Sequence, residues 1–419
     1  MTRKTAALHG RERVCWEGAV SLTTDGGSRI ADCQAVLSLS GELELRVVDP
    51  SGVRFFLGVD CAATKIEIPS VESPIDVFPI RANTNGVVTF RPKSSPIWFG
   101  SAKNLHMGRA LIVNLARYWT GSPRALRFEL SALGWVMQFI AVSDEILMVH
   151  PRATDGEYRI THQVEIRRGE DRDFTSVELR ELIDDLCLFL SFCHGRWVAA
   201  ADVAGIGRSG NVLAEQWGSG RASSWDDPEG WLDLHHGDAI CELYEPFCEK
   251  LRDASWKDAL RNVVYWFVRA DTNLVGPDGA CILLQATLER FAWQLLVRDR
   301  AAISQTGFEK LAAADKLRLL LDRLSIPATI PLGLAGLREF AANRGLDGPE
   351  AFTFVRNRIV HPPKSASTRE RLPYYEAYSL AKWYVEMAVL SACGYDGEYS
   401  NRTLPRRWVG QVERVPWAS

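Results

Sequence analysis

The chain has 419 residues, 47% of them hydrophobic and 24% charged, with a formal net charge of −3. That length accommodates two or three domains, and the near-neutral balance excludes a polycation, so any nucleic-acid binding falls to a local patch. The apolar runs are short and interrupted by charge, which predicts no transmembrane helix and no membrane partner. Met1–Arg13 carries Arg3, Lys4, Arg11 and Arg13 without an apolar core, and so is not expected to be a signal peptide. The nine cysteines are odd in number and none shows C-x-x-C spacing, which argues against a zinc ribbon or a disulfide scaffold. Buried free thiols in a reducing cytoplasm are the expectation.

The first half reads as β-structure. Leu43, Leu45 and Val47 alternate with Glu42, Glu44 and Arg46, the period of a strand with one buried face. Asp49-Pro50-Ser51-Gly52 predicts a turn, and Val53–Val59 resumes an apolar run. Asn85-Gly86 signals a hairpin ahead of Val87–Phe90. Further strands are predicted at Leu126–Leu130, Trp135–Val142 and Tyr158–Arg167, and so many short strands suggest a sandwich or barrel.

The period changes after Gly169. Thr175-x-x-Glu178 is a capping box, and Leu179, Leu182, Ile183, Leu186 and Leu190 follow at helical spacing. The Gly-rich stretch from Gly205 to Gly220 lacks the Gly-Lys-Ser/Thr of a phosphate loop and reads as loops with an irregular strand pair in a connecting region. Asp226–Glu249 holds eight carboxylates and no Lys or Arg, with His235-His236 between Asp233 and Asp238. A solvated acidic face explains it better than a metal site, because no second cluster has matching spacing. From about Asp238 the chain is predicted helical, with segments near 255–271, 281–300, 309–324, 333–343, 350–361 and 373–394.

One cluster points at chemistry. Arg356-Asn357-Arg358-Ile359-Val360-His361 ends a predicted helix and is followed by Pro362-Pro363. Asn357 and His361, four apart, share a helical face, while Arg356 lies about 140° round from His361 at 3.6 residues per turn. One helix therefore holds a phosphate poorly, and two such helices facing across a two-fold axis would do so better, which predicts a homodimer. RNA carries its own nucleophile, the 2′-hydroxyl, so its cleavage needs no metal. A near-neutral His can move the proton, a guanidinium can hold the phosphate, and Asn can orient the site. Basic residues at a helix C-terminus are also favoured simply by the helix dipole.

Arg-Asn-x-x-x-His resembles the signature of the HEPN superfamily, helical domains many of which cut RNA without a metal. The likeness extends over about 255–395, through Lys316-Leu317, Ile326-Pro327, Ile330-Pro331 and Val355–Pro362. The helix Ala286–Phe291, with Ala286 and Glu289 three apart, is similar to the family's Ala-x-x-x-Glu helix, which makes Glu289 a supporting candidate. The resemblance implies a metal-independent endoribonuclease without cofactor, as in antiviral or toxin effectors, or else a member kept only for binding RNA or protein. His361 would be the general acid/base, Arg356 the phosphate clamp and Asn357 the orienting group. The basic neighbours Arg358, Lys364 and Arg369, with Arg371, would bind RNA. Near the C-terminus, Arg402, Arg406, Arg407 and Arg414 interleave with Trp408 and Trp417, a pattern that suits either stacking on single-stranded RNA or a docked peripheral segment.

The expected fold class is α+β: a β-rich domain over 1–170, a connecting region over 171–250 and a HEPN-like helical domain over 251–419. The expected partners are RNA, a second copy of the chain, and a phage or host protein acting as trigger at the N-terminal domain. A carbohydrate- or protein-binding role for the β-rich half is the weaker alternative.

Overall fold

The computed structural model describes residues 12–38, 42–48, 64–69, Val71, 73–83, 85–116, Tyr118, 127–142, 160–223, 230–270, 272–361, 371–404 and 406–418. The fold is α+β, with a β-rich N-terminal region containing a closed barrel and a helical C-terminal part from Asp238. The chain divides into two compact units: Met1–Leu115, Gly134–Cys187 and Val198–Asp227 in the first, Ala116–Leu133, Leu188–Trp197 and Pro228–Ser419 in the second.

The first unit opens with β1 (Glu12–Thr24), β2 (Gly27–Ser38), β3 (Leu43–Val48), β4 (Thr64–Glu67), β5 (Ile75–Ala82) and β6 (Val87–Pro92). They close into a barrel in the order β1-β2-β3-β6-β5-β4, with β4 antiparallel to β1. Closure removes the free edges that would otherwise template aggregation. The alternation of Leu43, Leu45 and Val47 is the pattern of burial in β3, and Leu45 pairs with Phe90 and Val47 with Val88. Each such side chain, fully buried, contributes about 1.5–3 kcal/mol. Asn83 builds the β5–β6 turn, its Oδ1 accepting from the backbone N of Asn85 and Val87, and Gly86 takes the positive φ of 78° there. The predicted turn at Asp49–Gly52 and the apolar run Val53–Val59 lie outside the described residues.

Next come β7 (Ile97–Phe99), β8 (Met107–Val113), β9 (Arg127–Ala132), β10 (Trp135–Ala141), β11 (Ile160–Arg168), helix α1 (Ser176–His194), β12 (Ala199–Ile206) and β13 (Val212–Trp217). The strands of the first unit run β7-β13-β12-β8-β11-β10. The capping box opens α1 as its residues dictate: Thr175 Oγ1 accepts from Glu178 N at 3.1 Å and Glu178 Oε2 accepts from Thr175 N at 2.8 Å. A Cβ at Gly108 on β8 would press on Leu179 of α1, so glycine lets helix and sheet approach. The Gly-rich stretch supplies most of the β12–β13 pair, and β12 is buried along its whole length, which its small residues permit. The Trp217 ring joins the barrel core, 4.4 Å from Phe99 between centroids.

The second unit contains α2 (Asp238–Arg252), α3 (Lys257–Arg269), α4 (Thr272–Trp293), a π-helical turn over Gln294–Asp299, α5 (Gln305–Lys310), α6 (Ala313–Arg323), α7 (Ala335–Ala342), α8 (Gly348–Val360), α9 (Tyr374–Ala392) and a short ladder of β14 (Glu398–Tyr399) with β15 (Glu413–Arg414). The central helix is α9, buried from Ala377 to Leu390 and packed on α3, α4, α7 and α8. The segment expected as one helix over 309–324 is two: Leu311 and Ala312 adopt extended φ/ψ, and the ladder restarts where Lys316 N donates to Ala312 O. The segment Val275–Asp299 is, by length and composition alone, apolar enough to cross a membrane, with mean hydropathy 1.2. Its apolar surface serves packing, as 61% of that window is buried inside the protein.

Candidate functional site

The motif sits on α8, whose start is strongly specified. Asp347 Oδ1 accepts from Glu350 N at 2.9 Å and Glu350 Oε2 accepts from Asp347 N at 3.2 Å, a second capping box, with Pro349 in the first turn. Arg318 of α6 clamps the same end through Asp347 and Glu350. A Cβ at Gly348 would collide with the Tyr384 hydroxyl and the Ala328 carbonyl, so only glycine allows this close approach. Ala351, Phe352, Thr353 and Val355 form the buried side of the helix.

The other end of α8 is open. Asn357, Arg358 and His361 are exposed, and Arg356 is half-buried. The Arg356 guanidinium turns along its own helix: Nη1 donates to Asn357 Oδ1 at 3.1 Å. Its Nε is buried and has no hydrogen-bond partner among the described residues. His361 closes the helix, its backbone N donating to Asn357 O at 2.7 Å, with φ −124° and ψ 72° taking the chain out of helical geometry. The His361 side chain is exposed. The Arg358 guanidinium lies 5.1 Å from the centroid of Phe354, one turn earlier.

Glu289 lies on α4, which packs on α8. Its carboxylate accepts from Gln285 Nε2 at 2.9 Å and pairs with Lys316 Nζ at 3.2 Å, so among the described residues its polar contacts reach neither Arg356 nor His361. Lys364 and Arg369 lie outside the described residues, and Arg371 is exposed at the start of the α9 segment.

Residues 253–414 match the YopA C-terminal domain family. A second span, 108–228, matches the YopA central domain family. The chain is 30% identical over 263 residues to the SPbeta prophage-derived uncharacterized protein YopA of Bacillus subtilis (strain 168), which covers 62% of this chain and 59% of that protein. The chain thus spans less than two thirds of the length of that relative. No solved structure matches the chain.

The YopA C-terminal match contains α3 to α9, and with them Glu289 and the whole Arg356–His361 motif. It also contains the basic tail as far as Arg414. Arg402 Nε donates to Glu386 Oε2 at 2.7 Å and Nη2 to the other oxygen, with Glu386 fully buried on α9. Arg407 donates to Ser400 Oγ and to the Gly230 carbonyl, and Trp417 Nε1 donates to Tyr395 O at 2.7 Å. These contacts are those of a docked segment, and Trp408 stays exposed.

Asp233, in the acidic stretch, is likewise used for structure. Asp233 Oδ1 accepts from His235 N and lies 3.2 Å from His236 Nδ1, while Oδ2 accepts from Gly410 N. Among the described residues no group of three or more His, Cys, Asp or Glu side chains has the placement of a metal site.

Two aromatic residues near the motif carry no mark in the sequence that sets them apart from ordinary core positions. Phe340 of α7 and Phe354 of α8 meet edge to face at 5.5 Å, and Arg344 covers them at 4.1 and 5.9 Å. The spacing of Phe354 and Arg358, four apart on one helix, is a signal that could have found one of them. The contact of Arg344 with Phe354 has no such signal, because it depends on how α7 packs on α8.

Proposed function

We propose that the C-terminal helical part is a HEPN-type, metal-independent endoribonuclease. The observation that supports this most is the open end of α8, where Asn357, Arg358 and His361 are exposed beside a half-buried Arg356. A helix end that merely needed neutralising would be served by one cation. Here two guanidiniums, an amide and an imidazole all belong to the last turn.

The chemistry follows from these groups. Arg356 and Asn357 hold the oxygens of the scissile phosphate, and the guanidinium stabilises the charge that builds there. The His361 ring takes the proton from the 2′-hydroxyl, whose oxygen attacks phosphorus. The bond to the 5′-oxygen breaks, that oxygen takes up a proton, and the products are a 2′,3′-cyclic phosphate and a 5′-hydroxyl. One ring cannot be base and acid in the same instant, so a homodimer presenting two His361 rings divides the roles. Glu289, engaged by Lys316 of α6 and by Gln285, acts as support for the α4–α6 packing rather than as a proton carrier.

The work of such an enzyme is cytoplasmic, where RNA is available. The prophage origin printed in the name of the Bacillus subtilis relative agrees with a part in conflict between phage and host, as a toxin or defence effector whose β-rich region receives a protein trigger. A non-catalytic RNA- or protein-binding dimer is the second reading. It is favoured by the Arg356–Asn357 bond, which occupies one guanidinium nitrogen within the helix.

The test is incubation of the purified full chain with labelled total RNA and tRNA in EDTA, beside His361→Ala. Cleavage by the wild type alone, leaving 2′,3′-cyclic phosphate ends, is the expected result. Equal cleavage by both proteins would remove the motif from the chemistry, and binding without cleavage would leave the second reading.

A further inference from the structure

Beyond the motif, the exposed end of α8 continues into a strip of alternating cations and rings that reaches onto α7. Phe354, Asn357, Arg358 and His361 stand at positions i, i+3, i+4 and i+7, one stripe of the helix. From Phe354 to His361 this stripe runs about 10 Å at 1.5 Å per residue.

Arg344 extends it. Helix α7 ends in a tight turn: Leu346 N donates to Ala341 O at 3.0 Å and Gly345 N to Ala342 O at 3.3 Å, with Gly345 at φ 64°. This is the double hydrogen bond of a Schellman turn, and it requires the left-handed residue that glycine supplies. Arg344 precedes that glycine, so its backbone is held by the turn. Its side chain is held too: Nη1 donates to Phe340 O at 3.0 Å, and the guanidinium carbon lies 4.1 Å over the Phe340 ring. Arg344 and Arg358 both address the Phe354 ring, at 5.9 and 5.1 Å. Arg344 and Arg358 are nevertheless exposed, and Phe354 is only half-buried. Arg358 has no acidic partner among the described residues.

We infer that Arg344, Phe354 and Arg358 form a binding lip for single-stranded RNA, leading the strand toward Asn357 and His361. This rests on the nuclease reading above and names the surface by which that site takes its substrate. The charge and the chemistry select the ligand. Planar guanidiniums pair with phosphate oxygens and stack on bases, and a strip of rings and cations suits an unpaired strand better than a duplex whose bases are hidden. The turn and the rings restrict Arg344 before the ligand arrives, so less side-chain freedom is lost on binding.

The experiment uses the full chain in a His361→Ala background, so that RNA persists, with a fluorescein-labelled single-stranded RNA of mixed sequence in EDTA. Binding is read by anisotropy over a range of salt concentrations. Arg344→Ala and Arg358→Ala are each expected to weaken binding about tenfold and to lower the salt slope by about 0.7, the value for one phosphate of a single strand. Arg344→Lys keeps the charge and loses the planar fork, so it should retain the salt slope while still weakening binding. It also controls for any loss of stability in Arg344→Ala, which circular dichroism melting checks. Unchanged affinity and slope in both Arg344 variants would overturn the lip, whatever the wild type does to RNA. Preference for duplex over single-stranded RNA would overturn it as well. Binding through the lip with no cleavage by the wild type would instead sink the nuclease reading and leave the lip standing.

Discussion

Arg356 Nη1 donates to the side-chain oxygen of its neighbour Asn357 at 3.1 Å, although the two residues point about 100° apart around the helix. The long arginine stem bridges that angle, bringing the guanidinium round the helix toward the side that Asn357 shares with His361. The sequence spacing alone leaves Arg356 about 140° from His361, and the bond turns its guanidinium toward Asn357.

The bond makes Arg356 sensitive to its neighbour. Asn357→Ala removes the acceptor and frees the guanidinium, and RNA cleavage is expected to fall about tenfold or more while the helix keeps its fold, since Asn357 is exposed. Asn357→Asp should hold Arg356 more tightly but place a negative charge against the phosphate, lowering affinity for RNA further than the alanine does. Filter binding of the two variants in the His361→Ala background orders them, and equal affinity would show that Asn357 does not face the phosphate.

Replacing His361 should leave folding untouched, because the side chain is exposed and, among the described residues, its hydrogen bond is that of its backbone N to Asn357 O. His361→Ala is expected to reduce cleavage by about a hundredfold to ten-thousandfold, the span of a lost general acid or base. Cleavage rates measured beside melting temperatures check both halves of this expectation.

The buried pair of Arg402 and Glu386 ties the C-terminal segment to α9 through two parallel hydrogen bonds. Arg402→Ala leaves the Glu386 carboxylate buried and uncompensated, and should cost about 3–5 kcal/mol of stability. Arg402→Ala with Glu386→Leu, which removes both charges, should recover most of that loss. Urea unfolding of the three proteins tests the coupling.

Burial pushes the thiols of Cys33, Cys187, Cys281 and Cys393 up to about 12, from an ordinary value near 9. These groups stay protonated in the folded chain while the unfolded chain ionises. Their contribution is therefore complete below about pH 9 and is lost as pH rises toward 12. The urea midpoint should fall across that window, and more gently in Cys281→Ala. The same four thiols should resist alkylation at neutral pH until the protein is unfolded, which mass spectrometry of iodoacetamide-treated protein reads directly.

Short-range order is legible in the order of residues alone. The alternation through Leu43, Leu45 and Val47 marks a strand because successive side chains point to opposite faces, and the capping box at Thr175 and Glu178 marks a helix start because both bonds form within one turn. The motif on α8 is visible for the same reason, all its residues lying within two turns of one helix. Less legible is the break at Leu311 and Ala312, where apolar spacing continues across two helices that the backbone separates.

By itself, then, the sequence determined the change from strand period to helix period, the barrel strands' inward faces and the residues at the end of α8, all of them set by neighbours a few positions apart. Closure of the barrel, the engagement of Glu289 by Lys316 and the seating of Arg344 on Phe340 and Phe354 were decided only by the tertiary structure. Barrel closure and the Glu289–Lys316 pair join residues tens of positions apart. Arg344 reaches Phe354 only because the α7–α8 turn folds one helix back on the other. Packing geometry sets such contacts, and no local period encodes it.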